Sequence, residues 1–247
     1  EEGHWVPSQA WRFDAVPAGA RAIFTCVPTV NKAVVAATVG ATEAAEAVGQ
    51  ELAALLVGYG SINRAARAAQ VPTIGVAHGT VNGCVTEHGV PVAGFDHEFT
   101  TTSLFSAGVQ AFMLGHIHKH QSWEDSGRVI AYAGSIGRFH HGEHDAKGFL
   151  QWEVGAAVAR FRLVETPARR TVDLVFEGVP DADQIAAAIR EVDIAGAHVR
   201  VRWQVGEEAR GSVDRDAIKR ALGDAADVQL EGRVVPVVRS RAAGISR

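Results

Sequence analysis

Apolar residues along this chain gather into short runs of strand length, separated by stretches with helical spacing or by polar turns. Ala10–Val16 and Arg21–Val27 read as short strands, split by the turn-like Pro17-Ala18-Gly19. Thr42–Gln70 is rich in Ala, with Leu52, Leu55, Leu56 and Ile62 at helical spacing. Thr42 is the expected N-cap, and Gly58 and Gly60 are expected to divide this region into two helices. A buried strand follows over Pro72–Ala77 and ends at His78. The polar, Gly-rich stretch Gly79–Thr102 reads as loop. Val109–Leu114 is another short apolar run and leads into Gly115-His116-Ile117-His118. Arg128–Ala133 is a strand, Gly134–Lys147 a loop, and Phe149–Val154 with Ala157–Val164 a hairpin around Gly155-Ala156.

A new section opens at Thr166-Pro167. Thr171–Phe176 is strand-like, and Asp181–Val192 is a helix with Asp at its start. Ala197–Val205 alternates as a strand, Val213–Leu222 is a second helix, and Val228–Leu230 and Arg233–Val238 are short strands flanking Glu231-Gly232. Alternating strands and helices predict a layered α/β domain with mixed sheets over residues 1–165. A small α+β domain is expected over 166–247.

Composition narrows the function classes. The chain has 247 residues, 47% of them hydrophobic and 21% charged, which suits a packed core and argues against disorder. No apolar run reaches the roughly 18 residues needed to span a membrane, so no membrane partner is expected. Cys26 and Cys84 are too few for a disulfide framework, and a reducing, cytoplasmic setting fits them. A formal net charge of −4 does not mark a nucleic-acid binder by bulk, although binding depends on local patches and bound metal. The stretch from Arg233 to Arg247 holds four Arg and no acid, which suits either a phosphate-facing patch or a solvated tail. The chain begins with Glu1 and its only Met is Met113, so the first residue reads as a truncation or processing point.

Nine of the eleven histidines lie between His78 and His144, a window of little more than a quarter of the chain. Imidazole is the commonest metal ligand and the main proton carrier near neutral pH, so chemistry is sought there. His78 closes one strand, and His116 and His118 follow another. Ligands in open α/β folds gather beyond the carboxyl ends of strands. In extended backbone residues i and i+2 point the same way, so Gly-His-x-His is expected to present both rings to one site. Gly115 would let the backbone approach closely. The plainer reading, histidines that cap loops or satisfy core polar groups, weakens when three of them end two strands.

Three segments carry a resemblance: Ala77-His78-Gly79-Thr80-Val81, then Leu114-Gly115-His116-Ile117-His118, then Tyr132-Ala133-Gly134-Ser135. In this order they resemble the later motifs of calcineurin-like metallophosphoesterases. More narrowly they are similar to the nuclease subunit of the SbcCD DNA-repair complex and its relatives, as is the later Lys147-Gly148-Phe149. The resemblance implies a partial metallophosphoesterase core followed by a small capping domain that places DNA. It implies two divalent metal ions, most often Mn²⁺, with His78 and His116 on one and His118 on the other, so that His78, His116 and His118 serve as both catalytic and metal-binding residues. It also implies DNA as substrate, a homodimer and a coiled-coil ATPase partner of the SbcC type. By family position Arg138, His140 and His141, in the loop after Gly134-Ser135, are candidates for contact with DNA phosphate.

The resemblance also marks what is lacking. Asp-x-His, Gly-Asp-x-x-Asp and Gly-Asn-His-[Asp/Glu] motifs do not occur before His78, and Gly223-Asp224-Ala225-Ala226-Asp227 matches one of them by letters only, in the wrong place. Three neutral imidazoles cannot hold two hard dications without carboxylate charge. This chain alone is therefore expected to bind metal weakly and to be inactive. The intact gene product is expected to carry about 100 or more further N-terminal residues, the room such motifs need in a domain of this size. Two other readings stand beside DNA hydrolysis: a metallophosphoesterase for phosphoproteins or small phosphodiesters, and a non-catalytic scaffold or binding module. Among lesser candidates, Trp123 and His120 line a cleft or simply pack. His88, His97 and Glu98 lack the cysteine pair usual for a zinc site. Arg200 and Arg202 share one strand face, facing either DNA or solvent.

Overall fold

The computed structural model describes residues 16, 18–30, 32–87, 89–92 and 98–236. The strand expected at Ala10–Val16, His88, His97 and the Arg-bearing stretch beyond Pro236 therefore lie outside the described residues, but for Val16. The fold is mixed α/β and divides into two compact units. The first takes the described residues up to Ile136 together with Asp145–Thr166. The second takes Gly137–His144 and the described residues from Pro167 onward. The expected boundary falls at 165/166; the second unit starts within two residues of it but also draws in the loop Gly137–His144.

The first unit is built on a five-stranded sheet of β1 (Ile23–Cys26), β2 (Thr73–His78), β3 (Ala111–Gly115), β4 (Gln121–Asp125) and β5 (Arg128–Tyr132), in the order β1-β2-β3-β5-β4. All pairings are parallel except that of β4 with β5. Period-2 alternation sorts the side chains to two faces. Phe112, Leu114, Ile130 and Tyr132 point to one face, where they pack with Val48, Leu52 and Leu56 of α2 (Ala41–Ala68) and Leu104 of α3 (Thr101–Ser106). The short α1 (Lys32–Val39) adds Val35 to the edge of that cluster. Ala111, Val129 and Ala131 point to the other face, where the hairpin β6 (Gly148–Val154) and β7 (Ala159–Glu165) brings Leu150, Trp152 and Phe161. The layers are thus helix, sheet and hairpin.

Two expectations give way in this unit. α2 is a single helix of 28 residues, unbroken at Gly58 and Gly60. A Cβ at Gly60 would clash with the Ser106 carbonyl oxygen, so this glycine serves the close approach of α3 and not a break. Its first residue is Ala41, preceded by Gly40 with no side-chain cap, so Thr42 is not the N-cap. β4, for which the apolar pattern suggests no element, has Trp123 as its only apolar residue; pairing to β5 makes it a strand.

The second unit is a three-stranded parallel sheet of β8 (Thr171–Glu177), β9 (His198–Gly206) and β10 (Asp227–Val235), ordered β10-β9-β8. The crossovers are α4 (Ala182–Glu191) and α5 (Arg215–Ala221). Asp181 caps α4 through Gln184 N–H in a reciprocal box, which explains why that helix was legible from its first residue. Val172, Leu174, Val199, Val201 and Trp203 pack with Ile185, Ile218 and Leu222. β10 runs straight through Glu231-Gly232, where a break was expected. A Cβ at 232 would meet the Trp203 indole at 2.6 Å, so the glycine makes room for that ring within a continuous strand. Among the described residues, no helix of either unit is long and apolar enough to cross a membrane.

Candidate metal centre

β1, β2, β3 and β5 run parallel and so end on one edge of the sheet, at Cys26, His78, Gly115 and Tyr132. An open depression at this edge is lined by Cys26, Val27, Val76, Ala77, His78, Met113, Leu114 and Gly115. His78 is exposed there because it closes β2, and it pairs in register with Gly115. His116 follows directly. The His78 and His116 rings lie with centroids 5.1 Å apart, edge to face.

Two backbone features hold this pair. A Cβ on Gly115 would stand 2.9 Å from Nδ1 of His78, so glycine is what admits the His78 ring over the end of β3. His116 has φ of +110°, a region that L side chains rarely adopt. A non-glycine residue held there stores about 1–3 kcal/mol of strain. Such strain persists where the surroundings over-determine the conformation. The positive φ also breaks the extended geometry on which the i, i+2 expectation for His116 and His118 rested. The two rings go to different neighbours: His116 to His78, and His118 to Glu87, with a ring nitrogen of His118 and a carboxylate oxygen of Glu87 within 4.8 Å.

The turn beside these rings is tied by the buried Tyr132 and the half-buried Glu98, roles that the residue pattern does not reveal. The Tyr132 hydroxyl donates to Gly79 O at 2.6 Å and accepts from Val81 N–H at 3.0 Å, fixing the turn after His78. Burial, reinforced by Cys84 and Glu98, pushes this phenol far above its usual range, so it stays a neutral donor. A Glu98 carboxylate oxygen accepts from Thr80 N–H at 2.7 Å. That bond gives Glu98 a place in the same turn, which suits loop anchoring better than the zinc site weighed for it. His120 Nδ1 lies 2.7 Å from Tyr132 O and its ring meets Phe161 edge-on, so it packs. Trp123 likewise packs against Tyr132.

Arg138, His140 and His141 belong to the second unit and are described there. The Arg138 guanidinium donates to Glu143 O, Ala168 O and Arg169 O at 2.8–3.0 Å, committing it to main-chain carbonyls. His140 is exposed. His141 is half-buried: its carbonyl accepts from Thr171 Oγ1 at 3.1 Å, while its Nδ1 is buried with no hydrogen-bond partner. Arg200 makes a two-pronged pair with Asp173, both bonds at 2.7 Å, and Arg202 joins at 3.2 Å. Those partners account for the arginines on that strand face without a ligand.

His78 and His116 converge on one edge, which fits the kind of ligand expected. Among the described residues, however, they fall in no group of three or more His, Cys, Asp or Glu ligand atoms within 4.8 Å of one another. A tetrahedral or octahedral ion needs more donors than two imidazoles. The described residues therefore offer, at this edge, two of the donors that such an ion would need. No protein-family model and no curated protein matches the chain.

Proposed function

We propose that this chain carries the histidine-bearing part of a metal-dependent phosphodiesterase that acts on DNA. In this reading the intact protein is an exo- or endonuclease of DNA repair or recombination. Mn²⁺ is the preferred ion, a homodimer the working form, an SbcC-type coiled-coil ATPase the partner and the cytoplasm the setting. The second unit plays the capping, DNA-placing role. The observation that carries the reading is the His78–His116 pair: two imidazoles at adjacent strand ends, one in strained backbone and the other admitted by Gly115. His78 and His116 would hold one ion, and His118, beside Glu87, would hold the other. Besides Glu87, further carboxylates would be needed to complete the site. When bound, divalent ions lower the pKa of a water and offset charge building on phosphorus. The protein's own share is to aim His78 and His116 from adjacent strand ends and His118 from the turn that follows, and to hold the turn after His78 with Tyr132 and Glu98.

Cleavage of linear duplex DNA by the intact gene product, with Mn²⁺ added, tests this reading against its rivals. Loss of groups outside the first ligand shell already costs 10–100-fold in such sites, so His118→Ala is expected to lower cleavage by about a hundredfold or more. A phosphopeptide and bis-p-nitrophenyl phosphate complete the panel, and hydrolysis of either in preference to DNA would move the assignment to another phosphoesterase. One observation favours a non-catalytic module: among the described residues no acidic group completes the His78–His116 pair. Equal behaviour of the wild type and His118→Ala in every assay would establish that alternative.

A further inference from the structure

The carbonyl oxygen of His118, in the middle of the histidine turn, is gripped from two other segments. Ser135 N–H donates to it at 3.1 Å and Ser135 Oγ lies 3.4 Å away. Lys147 Nζ donates to it at 3.1 Å, from a residue only 3% exposed. The neighbouring glycines make the grip possible. Gly134 has φ of +80°, and a Cβ there would stand 2.9 Å from both His118 O and His120 N. Gly148 lies so close to Val164 O that any side chain would clash, which sets β6 against β7 and delivers Lys147 to the turn. The Lys147 carbonyl in turn accepts from Thr166 N–H at 2.8 Å, and Gly148 N–H bonds to Ser135 O at 3.3 Å. A second tie joins the same segments, Lys119 Nζ to Asp145 at 2.7 Å.

Burying an ammonium is costly unless it makes strong, directed bonds. An apolar side chain would fill the same space without that penalty, but it would leave the His118 carbonyl without its charge-assisted donor. The turn in question begins at His116, whose positive φ needs outside restraint. We infer that Lys147 is a positioning residue: with Ser135 it locks the His118 main chain and thereby fixes the direction in which the His118 ring is presented beside Glu87. The inference builds on the reading of His118 as a functional ligand, and it gives the Gly134-Ser135 and Lys147-Gly148 motifs one shared physical task.

Amide hydrogen exchange on this chain tests it without metal. In Lys147→Met, exchange at His118–His120 is expected to rise about tenfold or more, the size of effect that loss of one charge-assisted bond produces. Amides of β2 and of the second unit should keep their wild-type rates, and Lys147→Arg should recover most of the protection. Unchanged exchange at His118–His120, or equal acceleration throughout the first unit, would overturn the inference. Should Lys147→Met fail to fold, Lys147→Gln is read in the same way. Line broadening of the His118 ring by Mn²⁺ in the wild type reports separately on the metal reading. Local exchange effects without broadening would keep the clamp and remove the ligand role.

Discussion

His116 holds its backbone in a conformation that only glycine adopts without strain, and it does so next to the one glycine that another histidine requires. These neighbours make opposite predictions. His116→Gly should relieve strain and leave stability equal or higher by up to about 1 kcal/mol, while the ring that faces His78 is lost. Gly115→Ala should push His78 aside and destabilise the first unit by about 1–3 kcal/mol, the usual range for overpacking. Thermal or urea unfolding of both variants decides between them, and a drop for His116→Gly as large as that for Gly115→Ala would contradict the strain argument. The residues themselves were legible: clustering of histidines at strand ends pointed to His78, His116 and His118. Their division between two neighbours was not, because it depends on a backbone angle that no residue pattern reports. Nor were the tasks of Tyr132 and Lys147, which arise from hydrogen bonds across 53 and 29 residues of chain.

At the scale of elements, strongly periodic segments and hairpins emerged where the apolar pattern placed them, and the departures at Gly60, β4 and β10 have tertiary causes. Gly58 and Gly60 in α2 differ in this respect. Nothing lies within 4 Å of a Cβ built on the exposed Gly58, whereas one on Gly60 collides with Ser106 O. Gly58→Ala is therefore expected to stabilise the protein by about 0.5–1 kcal/mol, the helix-interior preference of Ala over Gly. Gly60→Ala is expected to destabilise it. Urea midpoints of the two single variants would show this difference in sign, and two changes of like sign would mean that α2 and α3 do not pack as described. β4 escaped notice for the reverse reason, since a polar edge strand with one inward tryptophan owes its form to its neighbour β5. In β10 the glycine that suggested a turn is explained by Trp203 on β9.

Over the whole molecule, two units were legible from the change of pattern at Thr166-Pro167, while the assignment of Gly137–His144 to the second unit was not, because Arg138 and His141 reach their partners through space. His141 also gives that unit a pH response. Its pKa is lowered, first by burial and then by Arg200, against opposing effects of Asp173, Gln229 and Glu231; Arg202 lies next to Asp173. The folded-state value is thus below the unfolded one of about 6.5. Between the two values the unfolded chain binds more protons, so stability falls as pH drops below about 6.5 and levels off beneath the folded value. In His141→Gln the urea midpoint should change less between pH 7 and pH 5 than in the wild type. An identical change in both would show that His141 does not contribute. The central claim, that His78 and His116 form one corner of a metal site, is tested most directly by imidazole NMR of this chain during titration with Mn²⁺. The ring resonances of His78 and His116 are expected to broaden together and first, while that of His198 in the second unit stays sharp. Uniform broadening of all histidines, or none at His78 and His116, would contradict it.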